Sequence, residues 1–337
     1  MGSNKKSPMP MGDNGTSPTE RLMPEALSSA AARFVDSLKI NSISEAVRRG
    51  RQLVIKRRNA YGAQLTELAN LYFRIANLPI RFWTKTEDWQ RWEVACFKML
   101  NGDRFRASRL GNNAIRIDRL PGQSLWEHLN RGTLNRRMVE AAGLEFRRAH
   151  RFRSKEFRGH WSHGDAGMAN VIYDEKSNRA RLIDFEIVHD KALPALSRHA
   201  DDLLIFLLDL IATAAGRQWL PFILAFLNAY DNAPVIAQLS RQLAPPSGIA
   251  WIWWGVRTSF ADPAKIRQRM AKLRDLTSHL GHYRAVAAAR VRQRRRASIT
   301  CQKMSAGTPR PISRARQTRE RAKAPSPEMP SKLLTTR

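Results

Sequence analysis

Cysteine is nearly absent from this chain of 337 residues: Cys96 and Cys301 are the only two. Two thiols so far apart exclude a disulfide framework and a cysteine-based zinc site, and they suit a reducing cytoplasm. Long apolar runs are missing as well. Those at 203–208 and 220–227 are the longest, far short of the roughly 20 residues that cross a bilayer, so a soluble or peripheral protein is expected. The opening MGSNKKSPMPMGDNG has no apolar stretch of the kind a signal peptide needs, and secretion is not expected. Lys6 stands where an N-myristoylation pattern requires Ser or Thr. Acidic residues are scarce: 29 Asp and Glu face 58 Lys and Arg, a formal charge of +29. That excess points to anionic partners such as nucleotide, nucleic acid, phospholipid headgroups or phosphorylated sugars. Glycine forms no G-x-G-x-x-G loop; Gly50 stands alone in Arg48-Arg49-Gly50-Arg51.

Polar ends flank a patterned centre. Residues 1–30 are rich in Gly, Ser, Pro and Asn and read as disordered. Residues 284–337 hold 15 Lys or Arg against Glu320 and Glu328, without apolar periodicity, and read as a basic disordered tail. Between them, Phe34 to Ile40 suggests one short helix, and Arg51 to Lys56 reads as a strand ending in a lysine. Leu65, Leu68, Leu71 and Ile75 recur at helical spacing. Trp89, Trp92, Cys96 and Leu100 line one face of a helix over 89–100. Residues 114–122 read as a strand and then a turn, with helices following over 124–129 and 136–150. Apolar helices open near Arg198, at Trp219 and at Ile249; Trp251, Trp253 and Trp254 suit a core better than a membrane interface.

The stretch from Trp161 to Glu186 carries the chemistry. His163-Gly164-Asp165 precedes Asn170 by the spacing H-x-D-x-x-x-x-N. Two short apolar runs, 171–173 and 182–183, flank the polar turn 174–178 and end in Asp184-Phe185-Glu186. Such runs form a hairpin, which returns the chain and brings Asn170 beside Asp184. Phosphoryl transfer needs a positioned acceptor hydroxyl and a hard divalent cation on the phosphates. Mg²⁺ takes oxygen ligands, typically one or two from protein. Asn170 and Asp184 supply those oxygens, and Asp165 accepts or orients the acceptor's proton.

This segment resembles the kinase-like phosphotransferases. HGD in place of HRD, and DFE in place of DFG, bring it nearer the aminoglycoside phosphotransferase, choline kinase and lipopolysaccharide-core kinase branch than ordinary protein kinases. The resemblance covers about residues 45–260. It implies an α+β, two-lobed protein-kinase-like fold, with a small β-rich N-lobe over 31–117 and a larger, mostly helical C-lobe over 118–283. It implies ATP and Mg²⁺ as cofactors, Lys56 on the phosphates, Glu93 pairing with that lysine, and backbone groups at Asp118 and Leu120 on the adenine edge. His163 and Asp202 would support the catalytic loop.

Three alternatives stay open. Lys56 sits in the basic cluster Lys56-Arg57-Arg58 and also fits a solvated surface; Lys85 is the rival phosphate ligand. Asp201 and Asp202 also suit the N-terminal dipole of a helix. Gly167 stands where protein kinases carry Lys and many small-molecule kinases His, removing one stabiliser of the transferring charge. Glu186 in place of glycine restricts backbone rearrangement at Asp184.

The function expected is transfer of the γ-phosphoryl group of ATP to a hydroxyl of a small-molecule or lipid-linked sugar acceptor. It would occur in the cytoplasm, with possible peripheral contact at the inner, anionic face of the membrane. The alternatives are a catalytically inactive kinase-like scaffold, a basic adaptor for nucleic acid or anionic membrane, and an atypical Ser/Thr protein kinase.

Overall fold

The computed structural model describes residues 40–244, 248–258 and 261–278. The expected disorder of 1–30, most of the helix around Phe34 and the basic tail lie outside the described residues.

Strands β1 (Asn41–Arg48) and β2 (Arg51–Arg58) form a hairpin around Arg49 and Gly50. Both turn residues have positive φ, 50° and 73°, as a two-residue turn matched to the twist of the strands requires. β2 pairs in turn with β5 (Ala114–Asp118), and β5 with β4 (Ala107–Leu110), so the four-stranded antiparallel sheet runs β1-β2-β5-β4. Residues directly opposite in an antiparallel pair share a face. Ile43, Lys56 and Ile115 are therefore on one side; Lys56 and Ile115 are buried there, while Ile43 on the edge strand stays exposed.

Between β2 and the next long helix the chain inserts α1 (Gly62–Ile75) and β3 (Ile80–Phe82). The Asn70 side chain accepts from the Phe82 amide at 2.7 Å and donates to its carbonyl at 3.0 Å, standing in for a missing strand neighbour. The helical spacing of Leu65 to Ile75 is realised, but Leu68, Leu71 and Ile75 are exposed. Its inner side is Phe73, which packs with Ile80, Phe82 and Ile187 in a small separate core. α2 (Thr86–Asn101) buries Trp89, Trp92, Cys96, Phe97 and Leu100 along one face.

The helical lobe begins after residues 119–122 with β6 (Gln123–Ser124) and α3 (Leu125–Asn130). Ser124 and Glu127 close a capping box, so the start of α3 is fixed by its own sequence. α4 (Arg136–Ala149) follows. Strands β7 (Arg153–Ser154) and β8 (Gly159–His160) lead to a single 3₁₀ turn at Met168–Asn170. The hairpin β9 (Val171–Asp174) and β10 (Arg179–Leu182) comes next. Its turn is set by Asp174, whose carboxylate accepts from the Lys176 amide and the Ser177 hydroxyl, and by Asn178 at φ 51°.

β11 (Ile187–His189) pairs with β3, tying the segment after Asp184 to the small lobe. α5 (Ala195–Thr213) is buried along most of its length and forms the centre of the main core. α6 (Trp219–Tyr230) crosses α4 closely. α7 (Ala233–Gln242), α8 (Ala250–Arg257) and α9 over 263–278 complete the described residues. Trp254 is buried, while Trp251 and Trp253 are half-buried. The Tyr72 hydroxyl donates to the Ile249 carbonyl at 3.0 Å and accepts from the Trp253 amide at 3.1 Å, so α1 is fastened to α8. The result is an α+β fold, a small antiparallel sheet beside a larger and mostly helical part. No helix among the described residues is long and apolar enough to cross a membrane.

Candidate active site

β2, α2 and the segment after β10 converge on Lys56. Its Nζ lies 2.6 Å from Asp184 Oδ1, 3.4 Å from Glu186 Oε2 and 3.6 Å from Glu93 Oε1. Burial alone would pull this ammonium down, but the three carboxylates hold it well above the usual lysine range. Glu93 and Glu186 are each pushed up to about 7, first by burial and then by crowding from Asp184, against the pull of Lys56. The Asn41 side chain also donates to Glu186. Lys85, by contrast, is an exposed residue at the start of α2.

Two consecutive residues of α2 fix the DFE segment. Glu93 Oε2 accepts from the Phe185 amide at 3.1 Å, and Trp92 Nε1 donates to the Phe185 carbonyl at 2.7 Å. Asp184 itself is left-handed, φ 63°, a conformation that Asp tolerates better than most residues. Its side chain remains 30% exposed, facing the cleft.

The loop of 163–170 rests on α5. Asp202, fully buried, accepts from the amides of His163 and Gly164, both at 2.8 Å, and pairs with His150 Nε2 at 3.0 Å. Although burial opposes it, the His150 hydrogen bond and the neighbouring histidines hold this carboxyl well below the usual range. The helix-dipole reading does not describe Asp202, which lies within α5 with both oxygens engaged. Asp201 instead pairs with His189 Nε2 at 3.0 Å. His163 Nδ1 accepts from the Asp165 amide at 3.2 Å, which leaves Nε2–H to donate to the Ile183 carbonyl at 2.9 Å. One imidazole thereby joins the loop to the residue before Asp184. Gly164 has φ 94°, and a Cβ there would stand 2.6 Å from the Ile187 carbonyl oxygen; only glycine lets the loop lie against β11.

Asn170 Nδ2 donates to the Asp165 carbonyl at 2.7 Å, and its own carbonyl accepts from the Ile183 amide at 3.0 Å. Asp165 and Asn170 thus lie together, and the charge of Asp184 is among those felt by Asp165. Burial raises the Asp165 carboxyl; Arg257 is the first of the groups opposing that rise.

With Asn170 Nδ2 committed to the loop, its Oδ1 and the outer oxygen of Asp184 are two hard donors of the kind Mg²⁺ takes from protein. Among the described residues no cluster of three or more His, Cys, Asp or Glu could hold a metal. A site of this sort draws its remaining ligands from phosphate and water, so these residues fit the ion. Asp118 is less open than the resemblance implies: its amide donates to the Arg106 carbonyl at 2.8 Å and its carboxylate accepts from the Arg106 amide at 2.9 Å. Leu120 is buried, and its backbone makes no hydrogen bond to the described residues.

Two residues at the loop were not legible beforehand. Asp209 Oδ2 accepts from the Met168 amide at 2.6 Å, and burial raises its carboxyl to about 7. It lies two helical turns after Asp202 on the same face of α5, a periodicity that would have found it. Arg257 donates from Nη2 to the Gly164 carbonyl at 3.2 Å; nothing in its local sequence marks it.

A lysine–glutamate pair across β2 and α2, a braced loop and a carboxylate beyond a hairpin come together here. No family model matches this chain, and no curated protein matches it. Among solved structures it is similar to a Plasmodium vivax ethanolamine kinase, 10% identical over 74% of this chain and 86% of that one, with a TM-score of 0.39. It is also similar to the APH(2")-IIa of a streptomycin–ATP ternary complex, 12% identical over 73% and 95%, TM-score 0.33. A third is Mycobacterium tuberculosis Rv3197 in complex with erythromycin, 16% identical over 56% and 51%, TM-score 0.32. The chain spans about half the length of Rv3197.

Proposed function

We propose that this chain is an ATP- and Mg²⁺-dependent phosphotransferase that moves the γ-phosphoryl group to a hydroxyl of a small-molecule or lipid-linked sugar acceptor. The observation carrying the reading is the Lys56 ammonium, buried between Glu93 and Asp184, on the same cleft as Asp165 and Asn170. A buried lysine with three carboxylates around it is costly unless the arrangement serves a ligand of mixed charge.

In this reading Lys56 holds the α- and β-phosphates and Glu93 sets its reach. Asn170 and Asp184 hold Mg²⁺, which supplies charge neutralisation on the phosphates. Asp165 takes the acceptor's proton; its raised carboxyl is the better base for it. His163 and Asp202 position the loop, and the free backbone groups of Leu120 meet the adenine edge. The basic excess over the chain suits an anionic acceptor, met in the cytoplasm or at the inner face of the membrane.

Thermal unfolding of the purified chain with ATP, with and without Mg²⁺, tests this, because a ligand that binds only the folded state raises Tm. A Mg²⁺-dependent rise that Asp184→Ala abolishes is expected. No rise with MgATP in the wild-type chain overturns the reading.

A further inference from the structure

Gly167 leaves the catalytic loop without a cation beside the base, yet one arrives from elsewhere in the sequence. Arg257, the last residue of α8, has a side chain nine-tenths buried and its Nη2 on the Gly164 carbonyl, one residue before Asp165. Its only ion pair among the described residues is a long one, 4.0 Å to Asp201 Oδ2, and that oxygen already receives His189. Its Nε is buried without a hydrogen-bond partner among the described residues. The Trp253 ring lies 5.2 Å from the guanidinium carbon and restricts where it can go. A buried guanidinium whose nearest carboxylates, Asp201 and Asp165, leave its Nε donor unused is only partly satisfied by the protein; it is matched to an anion beside Asp165.

We propose that Arg257 is a catalytic residue whose guanidinium contacts the transferring phosphoryl group, supplying from α8 of the same chain the charge that position 167 lacks. This rests on the phosphotransferase reading above. In the step it serves, the bond from the γ-phosphorus to the bridging oxygen breaks, and its electron pair leaves on ADP. A bond from phosphorus to the acceptor oxygen forms, and the hydroxyl proton passes to Asp165. The attacking oxygen is within hydrogen-bond reach of Asp165, and the phosphoryl group in flight is about 3 Å further. A cation fixed on the Gly164 carbonyl acts at that distance.

Fluoroaluminate bound with MgADP imitates the planar phosphoryl group, with water in the acceptor's place. Isothermal titration should show the wild-type chain binding MgADP at least tenfold tighter with fluoroaluminate than without. Arg257→Gln should lose that gain while binding MgADP alone within about threefold of wild type. Adding Gly167→Lys to Arg257→Gln should restore at least part of the gain. Position 167 has φ −64°, which a lysine adopts freely, and a Cβ there would stand 3.3 Å from Asp209 Oδ2, so the Asp209 carboxyl must give by a few tenths of an ångström. A merely structural Arg257 would not be rescued from position 167.

If Arg257→Gln does not fold, folded Arg257→Lys decides: a gain within about threefold of wild type supports the proposal, and a larger loss overturns it. The proposal also falls if Arg257→Gln keeps the full gain, or if wild type binds MgADP but gains nothing from fluoroaluminate. Absence of MgADP binding by wild type would instead remove the phosphotransferase reading beneath it.

Discussion

Asp202 divides two oxygens among three donors: the amides of His163 and Gly164 and the ring of His150. Removing it leaves those donors buried and unpaired, each costing about 1–3 kcal/mol. Asp202→Ala should therefore lose at least about 3 kcal/mol of unfolding free energy in a urea titration. Beside it, His199 stacks on His150 with centroids 3.9 Å apart and pairs through Nε2 with the Trp161 carbonyl. Burial, then the charge of His150, pushes His199 down to about 3. Its folded value lies below the unfolded one of about 6.5, so the unfolded chain binds the extra proton. The stability it contributes is present above pH ~6.5 and is lost as pH falls toward 3, by at most about 1.4 kcal/mol per unit. Glu93 and Glu186, raised to about 7, act with the opposite sign between about 4.5 and 7. The difference between variants isolates the histidine: between pH 6 and 4, His199→Gln should flatten the fall of stability with acid by about one proton.

Among the elements, α4 and α6 meet most closely at Gly143. A Cβ there would stand 2.5 Å from the Phe226 carbonyl and 2.9 Å from the Ala229 Cβ, so the helices must part for any side chain. Gly143→Ala should cost about 1–3 kcal/mol as an overpacked contact, read as a lower urea midpoint with an unchanged m-value. The elements were the legible part of this molecule. Strand 51–56, helix 89–100 and the turn 174–178 each announce themselves by local periodicity or turn chemistry, and all appear within a few residues of the reading. What local pattern could not supply is which face an element turns inward. Leu68, Leu71 and Ile75 have helical spacing yet are exposed, because the side of α1 turned to β3 and β11 carries Thr66, Ala69, Asn70 and Phe73 instead. In the site, His163, Asp165, Asn170 and Asp184 lie in one short segment, where spacing is informative. Arg257 lies far along the chain, and only tertiary packing brings it to the Gly164 carbonyl. The pairing of Lys56 with Glu186 escaped notice for the same reason: it depends on the left-handed turn at Asp184.

For the whole molecule, charge is the dominant long-range term, and 15 of the 58 basic residues lie in 284–337. Binding to a polyanion such as heparin should weaken steeply with salt, as released counterions dictate. Deleting 284–337 should reduce the slope of log K against log salt while leaving the MgATP-dependent Tm shift in place; loss of that shift would tie the tail to the site instead. The small lobe, meanwhile, is joined to the large one in more places than the connection through 119–122. Tyr72 holds α1 to the backbone of α8, and β3 is laced to β11. A body attached at one strap can pivot, whereas one fastened on several sides moves as a block with its partner. The β1–β2 hairpin shares that fastening, since Glu45 pairs with Arg119 and Asn41 donates to Glu186.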